Sequence, residues 1–194
     1  MAIQEQVDDI LVVEGGPSAE LMNWTERSII REPELNISKW WNLGLKLVES
    51  WARGNGLKRW NVAIINDDVI VPRQWTFMVG HSMRQAQAAA ACSGGYGPAP
   101  VIHREPGPVP LHARMQGFAF MLAGEKGVRA NEQLKWYFSD DHVDWMARKA
   151  GGMVQIPQYH VRHLYPNGQM TPELHAQVAE DAAAFHAYWG MRPW

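Results

Sequence analysis

Apolar positions in this chain fall into short runs whose period changes from one segment to the next. In "DDILVVEGGPS" four apolar residues, Ile10 to Val13, run together and stop at Gly15-Gly16-Pro17. That is the pattern of a short buried strand closed by a turn. After a polar connection, "NISKWWNLGLKLVESWARGNG" places Trp40, Trp41, Leu43, Leu45, Leu47, Val48 and Trp51 at roughly helical spacing, and Gly54-Asn55-Gly56 ends the pattern. "WNVAIINDDVIVP" reads as the next strand, with Asn66-Asp67-Asp68 set into its apolar run. Pro72 and the stripe Trp75, Met78, Val79 and Met83 predict a helix starting near Arg73 or Gln74.

The stretch from Cys92 to Pro110, "CSGGYGPAPVIHREPGPVP", carries five prolines and reads as a long loop, which inside a compact domain is more often functional than idle. "ARMQGFAFMLAGEKG" reads as a strand, and "NEQLKWYFSDDHVDWMARKAGG" as a helix with an acidic interruption. "MVQIPQYHVRHLYP" alternates enough for one or two short strands. Thr171 as N-cap, Pro172 at the first helical position and Glu173 in the first turn open a last helix that stops at Gly190. Strand–helix alternation without an internal repeat or linker predicts one α/β domain over 1–194, with its core in 10–163 and a C-terminal helix over 171–190. The sheet is expected to be mostly parallel and flanked by helices. Ligands of such sheets sit beyond the carboxyl ends of the strands, which would put Glu14-Gly15-Gly16 and Asn66-Asp67-Asp68 at one edge.

Composition narrows the function classes. The 194 residues carry a net charge of −2, so no overall positive field favours nucleic acid or an anionic membrane. No apolar run approaches the roughly 20 residues of a membrane span, and the N-terminus lacks the basic-then-apolar pattern of a signal peptide. A single cysteine, Cys92, excludes an internal disulfide framework and suits a reducing cytoplasm. Ten tryptophans are unusual; they serve either as large packing pieces or as platforms for sugars and bases.

Three clusters carry candidate chemistry. Asp67 and Asp68 follow a buried strand, with Asn66 as a neutral neighbour. Such carboxylates suit a hard divalent cation, Mg2+ or Mn2+, that completes its shell with water and phosphate; a solvated strand end or a helix-capping pair is the plain alternative. In "FSDDHVDWMAR", Asp144 and Arg148 stand at i and i+4 and form a helix-holding ion pair. Asp140 and Asp141 then lack local partners, and a carboxylate near other anions has the raised pKa of a general base. In "YHVRH", His160 and His163 are three apart, so on a strand they face opposite sides.

Taken in order, these segments resemble the family 2 glycosyltransferases, nucleotide-sugar-dependent enzymes of the Rossmann-like GT-A fold. "LVVEGGPS" is similar to the family's strand ending in an Asp-Asn-Gly-Ser-like turn. "NISKWWNLGLKLV" is similar to its Asn-rich segment, with Asn36, Asn42 and Gly44 in place. "IINDDVIVP" resembles the metal-binding strand end, and "MQGFAFML" the acceptor-side strand with its glycine. "YFSDDHVDWMARKAGGMVQIP" resembles the acidic segment with its base, and "VRH" the histidine that completes the metal site. The closing "EDAAAFHAYWG" is similar to the tail of compact phage-type members.

The resemblance implies a metal-dependent transfer, with inversion, of a sugar from a UDP-, GDP- or dTDP-linked donor to a hydroxyl acceptor, in the cytoplasm of a bacterial or phage-infected cell. Asp68 and His163 would hold Mn2+ or Mg2+. Glu14, Gly15, Asn42, Asn66, Asp67 and Gly117 would line the nucleotide-sugar site. Asp141 would be the base, with Asp140 the alternative. Two departures stand out. The family opens with one more strand and helix, so the domain reads as N-terminally abbreviated, leaving room for a homo-oligomer or a partner chain to supply the strand. His142 stands where a second acid often falls. The competing reading is a GT-A-like binding or structural module without catalysis.

Overall fold

The computed structural model describes residues 7–15, 28–164 and 171–192, with the backbone alone for residues 14, 15, 28 and 29. It is an α/β protein. The elements run β1 (Leu11–Gly15), β2 (Ser28–Glu32), α1 (Ile37–Gly54), β3 (Asn61–Ile65), β4 (Val69–Ile70), α2 (Trp75–Gln85), β5 (Ala90–Ser93), β6 (Val101–His103), β7 (Ala119–Ala123), α3 (Ser139–Lys149), β8 (Met153–Ile156), β9 (Arg162–His163) and α4 (Pro172–Trp189).

Helices α1 and α4 start at side-chain caps. The Asn36 side chain accepts from the Lys39 N–H at the head of α1, and Thr171 accepts from Leu174 at the head of α4, where Pro172 follows. Gly190 closes α4 at φ 72°, a left-handed position that suits glycine. In contrast, α3 begins at Ser139, not at Asn131 as the sequence pattern suggested; residues 131–138 form turns, and Phe138 enters the helix at φ 60°.

The main sheet has the order β3-β7-β5-β8-β6. It is mixed, which corrects the expectation of a mostly parallel sheet: β5–β8 is parallel, while β3–β7, β5–β7 and β6–β8 are antiparallel. Consequently β3, β5 and β8 point one way and end at the edge where β7 begins. The parallel pair β1–β2 forms a sheet of its own, and β4–β9 a third.

Alternation along the strands builds two cores. Phe120, Leu122, Ala90 and Cys92 face α1 and α3 with Leu45, Val143 and Ala147, while Ala119, Met121 and Ala91 face α2 with Trp75, Val79 and Met83. Phe185 of α4 packs with Trp145 of α3 and Phe138 in a third cluster. Several tryptophans are thus packing pieces: Trp75 and Trp145 are fully buried, and Trp41 lies edge-on to Phe120 at 5.1 Å. The predicted loop from Cys92 to Pro110 holds the end of β5 and all of β6.

Candidate functional site

The turn after β3 is fixed by backbone contacts before any side chain acts. The Asn66 N–H donates to the Phe118 carbonyl at 2.9 Å, and the Leu164 N–H donates to the Asp68 carbonyl at 2.8 Å. In the β4–β9 ladder Val69 opposes His163. These contacts bring the His163 ring to Asp68, with Nε2 2.9 Å from Oδ2. The Phe118 ring stacks on the imidazole, centroids 4.7 Å apart and planes 20° from parallel. Asp68 is half-buried whereas Asp67 is exposed, and His160, ahead of β9, is exposed.

The second carboxylate oxygen of Asp68, Oδ1, is buried without a hydrogen-bond partner. A buried lone pair of this kind costs free energy unless something meets it. The donor set, one carboxylate and one imidazole nitrogen, fits a small divalent cation that takes its remaining ligands from water and phosphate. Among the described residues no three His, Cys, Asp or Glu side chains converge; the described groups that would hold such an ion are these two.

Asp140 and Asp141 occupy the first turn of α3, where the helix dipole favours negative charge. Asp140 Oδ1 accepts from the Asp141 N–H at 3.0 Å. Its other oxygen lies against Gly117: a Cβ added to that glycine would stand 2.7 Å from Oδ2. Asp141 points inward and is 7 % exposed, with Nη1 of Arg114 3.9 Å from Oδ1. Burial, and then the neighbouring Asp140, push the Asp141 carboxyl up to about 8. Burial also raises Asp140.

The ion pair expected within α3 is present: Nε and Nη2 of Arg148 donate to Oδ1 and Oδ2 of Asp144 at 2.8 and 2.6 Å, both side chains buried. Such a bidentate pair holds the helix and leaves Asp140 and Asp141 to other work. His142 faces the opposite side. Trp189 Nε1–H donates to its Nδ1 at 3.1 Å, and burial lowers its pKa to about 4.

The turn just before β7 joins the two clusters. Gly117 packs on Asp140, and the next residue, Phe118, packs on His163 and bonds to Asn66. Four residues singled out from sequence, Asn66, Asp68, Asp140 and His163, therefore gather around the dipeptide that holds a fifth, Gly117, at the edge where β3, β5 and β8 end. Asp141 lies directly behind.

Other expected site residues stand apart or outside view. The Asn42 amide laces α1 to the segment before α3: Nδ2 donates to Ala130 O at 2.9 Å and Oδ1 accepts from the Ala130 N–H at 2.9 Å. It lines a cavity of about 370 Å3 with Lys39, Lys46, Glu49 and Arg129, whose walls include none of the five residues above. Gly15 ends β1, while Gly16 and the side chain of Glu14 lie outside the described residues.

Sequence reasoning missed Phe118, Arg114 and Gln155. Arg114 faces Asp141, and buried Gln155 holds the Arg114 carbonyl. No spacing signal marks a residue that reaches the site from a loop or a neighbouring strand.

No protein-family model matches the chain, and no curated protein matches it. No helix among the described residues is long and apolar enough to cross a membrane.

Proposed function

We propose that this chain is a GT-A-like glycosyltransferase that moves a sugar from a nucleotide-sugar donor to a hydroxyl acceptor with inversion. One observation carries the reading: the Gly117-Phe118 dipeptide joins an Asp–His pair suited to a divalent cation to a carboxylate pair with raised pKa. A diphosphate leaving group needs the first, and deprotonation of a hydroxyl needs the second.

Asp68 and His163 would hold Mn2+ or Mg2+, which when bound supplies charge neutralisation at the departing diphosphate. Asp140 is the residue placed to meet the acceptor. It is the more open of the two acids, and its Oδ2 lies over the one position in "MQGF" without a side chain. Its carboxylate takes the proton of the acceptor hydroxyl, and that oxygen bonds to the anomeric carbon. The bond from that carbon to the diphosphate breaks, and the nucleoside diphosphate leaves. Burial is what keeps Asp140 basic, with the Asp144 charge adding to it, while the Asp141 N–H and Arg114 work against the rise. This assignment exchanges the roles that the family resemblance gave the two acids.

A nucleotide-sugar-binding module without turnover is the second reading. It is favoured by β1–β2 forming a sheet of its own, apart from the main sheet. The test is a screen of UDP-, GDP- and dTDP-sugars for Mn2+-dependent thermal stabilisation, followed by product detection with the donor that binds. Binding with turnover supports the enzyme, binding without turnover supports the module, and no binding to any donor refutes both.

A further inference from the structure

The two segments on either side of β6 present an aromatic surface that neither the metal pair nor the acid pair uses. Tyr96 is 79 % exposed and Leu111 is 79 % exposed. The Tyr96 ring lies 4.8 Å from that of His112, tilted by 47°. Exposed rings on otherwise free loops are unremarkable, but this backbone is held. The Gly94 N–H donates to Ile156 O at 2.9 Å, and Gln158 Nε2 donates to Pro98 O at 2.8 Å, on either side of Tyr96. On the other arm, Nε2 of buried Gln155 donates to the carbonyls of His112 and Arg114 at 3.1 and 2.7 Å. The same amide passes beneath Gly95, where an added Cβ would stand 3.2 Å from Oε1. One side chain of β8 therefore fixes both halves of the platform while leaving the rings in water.

The platform is continuous with the acids. Arg114, two residues from His112, reaches Asp141, and Gly117, five residues from His112, carries Asp140. Five residues span at most about 17 Å, so an oligosaccharide of a few sugar units with one end at Asp140 is long enough to reach the rings. Tyr96 and His112 combine flat apolar faces with polar edges, as a pyranose combines a C–H face with a rim of hydroxyls. Tyr96, Leu111 and His112 include no lysine or arginine that would favour an anionic lipid surface.

We infer that Tyr96 and His112 form an acceptor subsite for an oligosaccharide, holding an inner sugar ring while the terminal hydroxyl meets Asp140. This rests on the glycosyl-transfer reading for the meaning of "acceptor", although saccharide binding is measurable without it. Isothermal titration of the full chain with chito-, cello-, malto- and manno-oligosaccharides, from disaccharide to hexasaccharide, provides the test. One series is expected to bind, more tightly with length. Tyr96→Ala should weaken its hexasaccharide roughly five- to tenfold, Tyr96→Trp should retain binding, and donor stabilisation should be unchanged in both. Absence of binding by the wild type, or equal binding by Tyr96→Ala, overturns the inference. If donors fail to bind while Tyr96-dependent saccharide binding persists, the transferase reading falls and the saccharide site stands.

Discussion

Gly117 and Asp140 are in van der Waals contact: a Cβ on the glycine would stand 2.7 Å from the carboxylate oxygen Oδ2 and 2.9 Å from the aspartate's own Cβ. The second distance matters more, since a Cβ cannot swing aside as a carboxylate can. Gly117→Ala must push the first turn of α3 away from β7. The expected cost is about 1–3 kcal/mol of stability, measured by urea unfolding. Activity should fall about a hundredfold, since displacements near 1 Å at a reacting group have that effect. In an Asp140→Gly background the stability penalty should shrink, which marks the contact itself as the cause.

Asp140→Asn should abolish turnover, and Asp141→Asn should leave a measurable fraction. Steady-state rates of both with one donor and acceptor decide the order. An inactive Asp141→Asn beside an active Asp140→Asn would return the base to Asp141, as the family resemblance first suggested.

Asp141 also makes stability depend on pH. Its carboxyl is raised from the ordinary Asp range near 4 to about 8, with burial the main cause. The folded state therefore binds this proton more tightly than the unfolded chain does. Stability from this group is full below about pH 4 and is lost as pH rises towards 8. Asp141→Asn is expected to flatten that decline and to gain stability of the order of a few kcal/mol at pH 8. Thermal unfolding of both forms across pH 5 to 9 checks it; parallel curves would show that Asp141 titrates normally.

Much of this arrangement was legible in the sequence where a local rule operates. Thr171, Pro172 and Gly190 set the ends of α4 through local backbone chemistry, and the observed ends follow. The family resemblance set Asp68 apart from Asp67, and the turn that holds both leaves Asp68 half-buried beside His163 and Asp67 exposed. What could not be read was pairing across distance. β5 was hidden because "AAAACS" has the composition of a helix; it is a strand because Ala90 and Ala91 are buried where elements crowd both faces of the sheet. β2, "SIIRE", was passed over as a polar connection because its run is too short to show a period. The direction of β7, which makes the sheet mixed, follows from its partners and not from its residues. Asn42 was singled out by resemblance, yet its amide bonds to the Ala130 backbone.

Asp181 supports the site from a distance. Fully buried in α4, it accepts from the backbone N–H groups of Lys135, Trp136 and Tyr137 at 3.0, 2.9 and 2.7 Å, in the turns that lead into Phe138 and α3. Asp181→Ala leaves those donors without their acceptor and should lose about 3 kcal/mol or more, read from the urea midpoint. The readout specific to this link is faster amide exchange at residues 135–141. Unchanged exchange there would mean that α4 does not hold the turn.

The central claim is that Asp68 and His163 together receive a metal-bound nucleotide diphosphate beside the acid pair. Its most direct test is the melting temperature of wild type, Asp68→Ala and His163→Ala with each of UDP-, GDP- and dTDP-sugars, with and without Mn2+. Saturating donor at about 100 times its Kd should add about 2.7 kcal/mol of stability to the wild type. That gain should appear with one nucleotide class, require Mn2+, and vanish in both variants while their donor-free melting stays cooperative. A wild type that no donor stabilises, or an Asp68→Ala variant stabilised as fully as the wild type, would contradict the account.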